Sequence, residues 1–226
     1  MSETAERITS AIRFPGESAE YRAARNRLLE AEVALLRQIE AVAAQRRALP
    51  PGGSIPQDYV FDSDDGPVKL SQLFGEHDVL LLYCFMYGPN MERACPSCTS
   101  FIDALDGEMR HIRQRVSIAL VARSPLARFK AHAADRGWRD TRLLSSAGNS
   151  FHPDYHGETP QGAQRTMMNV FRRRGGEIRH VWSTEMAYGQ NDPGQEPRHI
   201  DLMWPLWGVL DLSPDGRGDF HPRLEY

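Results

Sequence analysis

The chain has 226 residues, 41% hydrophobic and 25% charged, with a formal net charge of −3. That composition excludes a disordered polypeptide and gives no electrostatic reason to expect nucleic acid. Met1 to Ser10 is polar and lacks the apolar core of a secretory leader, and the longest apolar run, which begins at Val79, falls far short of the about 20 residues of a membrane span. A cytoplasmic protein without a membrane or nucleic-acid partner is expected, with one core of ordinary size and an appendage.

Ser18 to Leu49 is rich in Ala, Leu, Arg and Glu and contains neither Gly nor Pro, which predicts a helix. Tyr21, Leu28, Leu35, Val42 and Leu49 fall seven apart, and Leu29, Val33, Leu36 and Ile39 widen the stripe. Pro50-Pro51-Gly52-Gly53 ends it. About 30 helical residues span roughly 45 Å, more than a compact domain requires. Two readings follow: a helix packed on its own domain, or an arm that makes a homodimer. The expected organisation is a helical arm over 1–53 and a folded domain over 54–226.

Tyr59-Val60-Phe61 and Val68-Lys69-Leu70 read as a hairpin about the turn 63–67, followed by a helical turn at 71–75. Val79 to Met86 is continuously apolar, the pattern of a central strand covered on both faces. A helix is expected over Cys98 to Arg113, with Phe101, Ile102, Leu105, Met109 and Ile112 inward. Val116 to Ala122 is a second buried strand. Ser124 as cap and Pro125 as first residue start another helix that runs to about Arg136. Leu143-Leu144-Ser145 is a short strand, and 147–163 reads as loop. Met167–Phe171 and Ile178–Ser183 make a late hairpin about Arg174-Gly175-Gly176. Beyond Tyr188 the tail is rich in Gly, Pro, Trp and His, and Pro205 is expected to interrupt any helix between Arg198 and Leu210. Strand–helix–strand units followed by a hairpin imply an α/β fold: a mixed sheet flanked by helices, with the long helix at the N-terminus.

The chemistry concentrates in Cys95-Pro96-Ser97-Cys98. Two thiols three apart at a helix start can close a small disulfide ring. The helix N-terminus favours a thiolate on the first Cys, and Pro suits the first turn. Cys95 is the candidate nucleophile and Cys98 the resolving thiol. In a reducing compartment a lone CxxC is either such a redox pair or half of a metal site. His152 and His156 flank Asp154, and folded back over the helix start they would complete a Cys2His2 set for Zn or Cu. Met167 and Met168 are either soft copper ligands or core. Cys84, inside a strand, reads as inert core. No histidine triad or phosphate loop stands out.

These motifs, in this order, resemble the thioredoxin superfamily, and the first hairpin resembles its redoxin and peroxiredoxin branch. More narrowly, Arg46-Arg47-Ala48-Leu49-Pro50, Asp58-Tyr59-Val60-Phe61-Asp62, Met86-Tyr87-Gly88-Pro89, Ala94-Cys95-Pro96-Ser97-Cys98, Val121-Ala122-Arg123-Ser124-Pro125 and Leu210-Asp211-Leu212-Ser213-Pro214 resemble the bacterial DUF899 group. The resemblance implies a thioredoxin-like fold and thiol–disulfide oxidoreductase activity through Cys95 and Cys98. It implies no settled substrate; with it we expect no bound cofactor, a protein or small-molecule thiol or disulfide as substrate, and substrate contact at Pro96, Ser97, Thr166 and Met167. The alternative is a non-enzymatic member of the fold whose dithiol binds a metal or a partner. Two departures matter. Gly88 and Glu92 stand where peroxiredoxins carry Pro and Thr, so at most a weak peroxidase is expected, with the Glu92 carboxylate repelling the thiolate. Thr166 stands near the place of the cis-proline of thioredoxins.

Overall fold

The structure, a computed structural model, describes residues 12–189 and 201–225. The polar start of the chain and the tail segment 190–200 lie outside the described residues. Contacts divide the chain into two units, the first ending at Pro50 and the second beginning at Pro51.

In the first unit, α1 runs over Ala19–Arg47, 29 residues. Ser18 caps it, its hydroxyl accepting from Tyr21 N–H at 3.1 Å, and Glu20 in the first turn with Arg46 and Arg47 in the last complements the helix dipole. Arg22 is the helix's one buried residue, paired with Glu17 just before the helix. Tyr21, Leu28, Leu35 and Leu36 are exposed.

The second unit opens on the hairpin β1 (Val60–Ser63) and β2 (Gly66–Lys69), followed by the single turn α2 (Leu70–Leu73) and β3 (Val79–Cys84). The continuous apolar run of β3 puts it inside the sheet, where both faces are covered. Next come α3 (Pro96–Leu105), α4 (Met109–Ile112) and β4 (Ser117–Ala122). They are followed by α5 (Leu126–Arg136), β5 (Leu143–Ser145) and α6 (Phe151–Asp154). Strands β6 (Met167–Arg174) and β7 (Glu177–Ser183) form the late hairpin, and α7 (Pro205–Leu210) follows in the tail. The β6–β7 turn is Gly175-Gly176, both with positive φ (58° and 84°), the backbone a two-residue hairpin loop of matching twist demands.

The described strands form one mixed sheet in the order β2-β1-β5-β4-β3-β6-β7. β3 is parallel to β4 and β4 to β5, while β6 runs antiparallel to β3 with Tyr83 opposite Met168 and Cys84 opposite Met167. Strand alternation divides the core in two. One face buries Phe61, Leu82, Cys84, Phe151, Met167 and Phe171; the other buries Tyr83, Phe85, Cys98, Phe101, Phe129 and Met168. Burial of each such large apolar side chain stabilises the fold by about 1.5–3 kcal/mol. Both sheet edges are short of free backbone. Gly53 O accepts from His180 N–H and Ile55 N–H donates to Ile178 O along β7, while β2 is four residues long and carries Pro67 and Lys69. This is the thioredoxin-like architecture expected from the element order, with the long N-terminal helix.

Three local expectations fail for physical reasons. The helix expected through Arg113 breaks after Leu105, where the Asp106 carboxylate accepts from Arg139 N–H at 3.0 Å and from the Thr141 hydroxyl at 2.6 Å. Ser124 does not cap α5: Pro125 is the capping residue, and Ser124 is buried with its hydroxyl toward Gly88 O. Pro205 starts α7 instead of interrupting a helix, because the first helical position needs no N–H.

Candidate functional site

Cys95 is the residue that caps α3. Its backbone is extended (φ −60°, ψ 124°), its sulfur accepts the Cys98 N–H at 3.5 Å, and Pro96 takes the first helical turn. Cys95 N–H donates to Met86 O at 3.1 Å, so the loop leaving β3 closes on itself and returns the thiol to the end of the central strand. Arg128 of α5 holds that loop. Its guanidinium stacks 4.2 Å over the Tyr87 ring and donates to the carbonyls of Gly88 (3.3 Å), Met91 and Glu92 (3.0 Å). Behind the cap, Thr99 is buried and donates to Cys95 O at 2.9 Å, with His132 Nε2 3.1 Å from the same hydroxyl. Burial among Phe85, Tyr87 and Trp138 lowers the pKa of His132.

All three cysteines are free thiols. Cys95 is half-buried and its pKa falls to about 6, because the Cys98 thiol hydrogen-bonds to it and, against the opposing effect of burial, the Cys98 and Ser97 N–H groups do likewise. The pKa of buried Cys98 is driven up, first by giving its hydrogen bond to the Cys95 sulfur and then by burial. The pair therefore holds one proton between two unequal sulfurs: a thiolate at the mouth and a thiol behind it. Glu92 is exposed and is not among the groups that set the Cys95 pKa, so the expected carboxylate repulsion is replaced by a simple lack of cationic help.

Of the residues expected at the substrate side, Pro96 is exposed and Ser97 half-buried beside Cys95. Thr166 reaches the same region: its hydroxyl donates at 2.6 Å to the hydroxyl of Tyr83, which is buried in the same layer as Cys98. Met167 does not. One residue further along the strand, it points to the opposite face, buried with Cys84, where its sulfur accepts from the Thr184 hydroxyl at 3.4 Å. Met168 is core on the dithiol face. The two methionines thus lie on opposite faces of the sheet, and among the described residues no three of His, Cys, Asp and Glu converge on a site that could hold a metal.

The histidine loop also folds differently from the Cys2His2 expectation. His152 is fully buried on the face away from the dithiol, its Nδ1 2.6 Å from Ser146 Oγ, and burial brings its pKa down to about 3. Asp154 accepts from the hydroxyls of Tyr59 and Ser150, both at 2.7 Å. Exposed His156 precedes Gly157, which lies against His152 and Cys84. Cys84 is core, as expected, and burial raises its pKa to about 12. Tyr83 and Arg128 were not legible as site residues. The only signal for Tyr83 is that it carries the one hydroxyl in the β3 run, two residues before Phe85 on the dithiol face.

A mixed sheet with parallel β3–α3–β4, an antiparallel late hairpin and a dithiol capping α3 defines a thioredoxin-like protein. Within that class, the chain belongs to the family described as "Bacterial protein of unknown function (DUF899)", whose model matches residues 13–225. No curated protein matches the chain in sequence. Among solved structures it is similar to a variant of PrxQ from Xylella fastidiosa, at 13% identity and TM-score 0.48, over 71% of this chain and 96% of that one. It is similar to a 2-Cys peroxiredoxin of Plasmodium vivax at 19% identity and TM-score 0.44, over 70% and 97%. A lipoprotein thioredoxin of Streptococcus pneumoniae aligns at 14% identity and TM-score 0.42, over 66% and 99%.

Proposed function

We propose that the chain is a cytoplasmic thiol–disulfide oxidoreductase. The observation that carries this reading is the asymmetry of the pair: the pKa of Cys95 at the helix cap is lowered to about 6, while that of Cys98, buried behind it, is raised. A substrate disulfide is attacked by the Cys95 thiolate, its S–S bond breaks, one half leaves as thiolate, and the other stays as a mixed disulfide. Cys98 then attacks the Cys95 sulfur, closes the intramolecular disulfide and releases the second thiol. Peroxide is a poor substrate. The Arg128 donors are taken by backbone carbonyls and position 92 offers no hydroxyl, so neither supplies a donor to an oxygen that develops negative charge.

Alkylation by iodoacetamide tests the assignment. Labelling should fall on Cys95 alone in short exposures, with a rate that follows the thiolate fraction: rising through a midpoint near pH 6 and flat by neutral pH. The same reduced protein should react with hydrogen peroxide no faster than an ordinary thiolate. Dominant labelling of Cys84 or Cys98, a midpoint near that of a free thiol, or fast peroxide consumption defeats the reading.

The first unit is read as a dimerisation arm. Tyr21, Leu28 and Leu35 are exposed seven residues apart on a helix whose one buried side chain is Arg22, the spacing of a seam for a second helix. The full chain should sediment as a dimer at micromolar concentration, and Leu28→Glu with Leu35→Glu should give a folded monomer. A wild-type monomer ends this idea.

A further inference from the structure

The resolving step has an unmet requirement. Cys98 must lose its proton before it attacks the mixed disulfide, yet it is buried in an apolar layer with Phe101, Ile102 and Met168. Among the described residues, the polar and titratable groups that bear most on it are few. They are Cys95 at the α3 cap, Tyr83 on β3, the Met86 N–H, and, less directly, Tyr188 in the turn after β7, over whose ring the Arg165 guanidinium stacks at 4.7 Å. Among the described residues that bear most on Cys98 there is no carboxylate, lysine or histidine to take the proton or to stabilise the anion.

Tyr83 fits the requirement. It is fully buried, its ring edge-on to Phe101 at 5.2 Å. A buried hydroxyl must be satisfied, and this one is satisfied with a direction. The Thr166 hydroxyl donates to the Tyr83 oxygen at 2.6 Å, which leaves the phenolic proton free to point at Cys98. The Thr166 bond thus leaves the Tyr83 O–H as a donor within the buried layer that holds Cys98, whose own N–H donates to the Cys95 sulfur at 3.5 Å. Thr166 itself is fixed from the other side, its carbonyl accepting from the Tyr188 hydroxyl at 2.7 Å.

Resting on the dithiol reading above, we infer that Tyr83, oriented by Thr166, activates Cys98 for the resolving attack by donating a hydrogen bond to its thiolate. Once Cys95 is held in a mixed disulfide it no longer accepts from Cys98, and the Tyr83 O–H becomes the side-chain donor that stabilises the Cys98 anion. The thiolate attacks Cys95 Sγ; the Cys95–Cys98 bond forms, the bond from Cys95 to the substrate sulfur breaks, and the electron pair leaves on that sulfur. The proton lost from Cys98 ends on the departing thiolate, so the enzyme dithiol is oxidised by two electrons and the substrate disulfide becomes two thiols. Tyr83 stays protonated throughout. Burial, which raises its pKa, keeps it a donor at any working pH.

The test uses Ellman's disulfide with the reduced full-length protein in stopped flow. The first release of thionitrobenzoate reports attack by Cys95, the second reports resolution by Cys98. Tyr83→Phe keeps the ring and removes the hydroxyl. It should leave the first phase within twofold of wild type, slow the second about tenfold at neutral pH, and move the second phase's pH midpoint up by about one unit, since one unit corresponds to a factor of ten in thiolate. Thr166→Val, at a half-buried position, should shift the second phase in the same direction by less, and it carries the test if Tyr83→Phe does not fold. A second phase that keeps its wild-type rate and pH profile in a folded variant overturns the inference. So does an equal slowing of both phases, which is what loosened packing would give. A wild-type protein that releases only one equivalent removes the dithiol reading itself, and Tyr83's part with it.

Discussion

Cys95→Ser should abolish disulfide reduction driven by an external dithiol, by about a thousand-fold or more, the scale on which removal of a nucleophile acts. Ser at the helix cap keeps the hydrogen bond from the Cys98 N–H, so folding and melting temperature should not change. Cys98→Ser should differ in kind. Cys95 still attacks, and the mixed disulfide accumulates instead of resolving, visible as a stable adduct by mass spectrometry after one equivalent of disulfide is added. Cys98→Ala, which leaves no side-chain donor, should raise the Cys95 pKa above 6, because the strongest of the interactions that lower it is the hydrogen bond from Cys98. Insulin reduction or glutathione-buffer equilibration reads the first effect. Activity retained in Cys95→Ser would move the chemistry elsewhere in the chain.

Gly157→Ala should destabilise the second unit by about 3 kcal/mol, at the upper end of the usual cost of overpacking. A Cβ there would stand 2.7 Å from His152 Cδ2, 2.8 Å from Cys84 Sγ and 3.0 Å from Cys84 Cβ. None of the three can retreat. Both side chains are fully buried, and His152 is tied to Ser146 at 2.6 Å. For a unit of this size the melting temperature should fall by about 6–12 °C. Gly148→Ala, where nothing lies within 4 Å of the new methyl, serves as the control and should change little. Cys84→Ala placed on top of Gly157→Ala should recover part of the loss, since the two sites share the crowded space. A melting temperature unchanged in Gly157→Ala would show that the loop simply shifts outward.

What the sequence made legible was local. The apolar run of β3, the Gly-Gly turn of the late hairpin and the cap geometry of Cys95-Pro96-Ser97-Cys98 are each written within a few residues, because period, turn chemistry and helix capping act over that range. The misreadings were also local in appearance but tertiary in cause. Asp106 breaks the long helix because it serves a loop 33 to 35 residues away, and Ser124 turns from capping α5 to a carbonyl 36 residues back. Met167 went to the wrong face because the cis-proline position of related folds fixes a place along the chain, whereas strand alternation fixes which neighbour faces the thiols. Tyr83 and Arg128 were invisible for the same reason. Tyr83 meets Thr166 across 83 residues, and Arg128 meets the loop before Cys95 only after β4 and the start of α5 have folded back. The assembly of a site of this kind depends on the register of β3 against β6, which no short motif encodes.

The strap over β7 bears on how this chain behaves when concentrated, trimmed or fused. Bare strand edges template the addition of further strands and lead to fibrous aggregates. Here the strand at one end of the sheet is shielded by residues 52–55: Gly52 O takes the Arg179 guanidinium at 2.8 Å, Ser54 Oγ donates to Glu177 at 2.8 Å, and Gly53 and Ile55 make backbone bonds. The strand at the other end is too short, too charged and too proline-bearing to recruit a neighbour. A shortened chain that begins at Pro51 keeps both guards. One that begins beyond Ile55 strips a row of donors and acceptors bare along β7 and is expected to add strands edge to edge, although of the core it removes only Ile55, packed at its margin, and nothing of the dithiol.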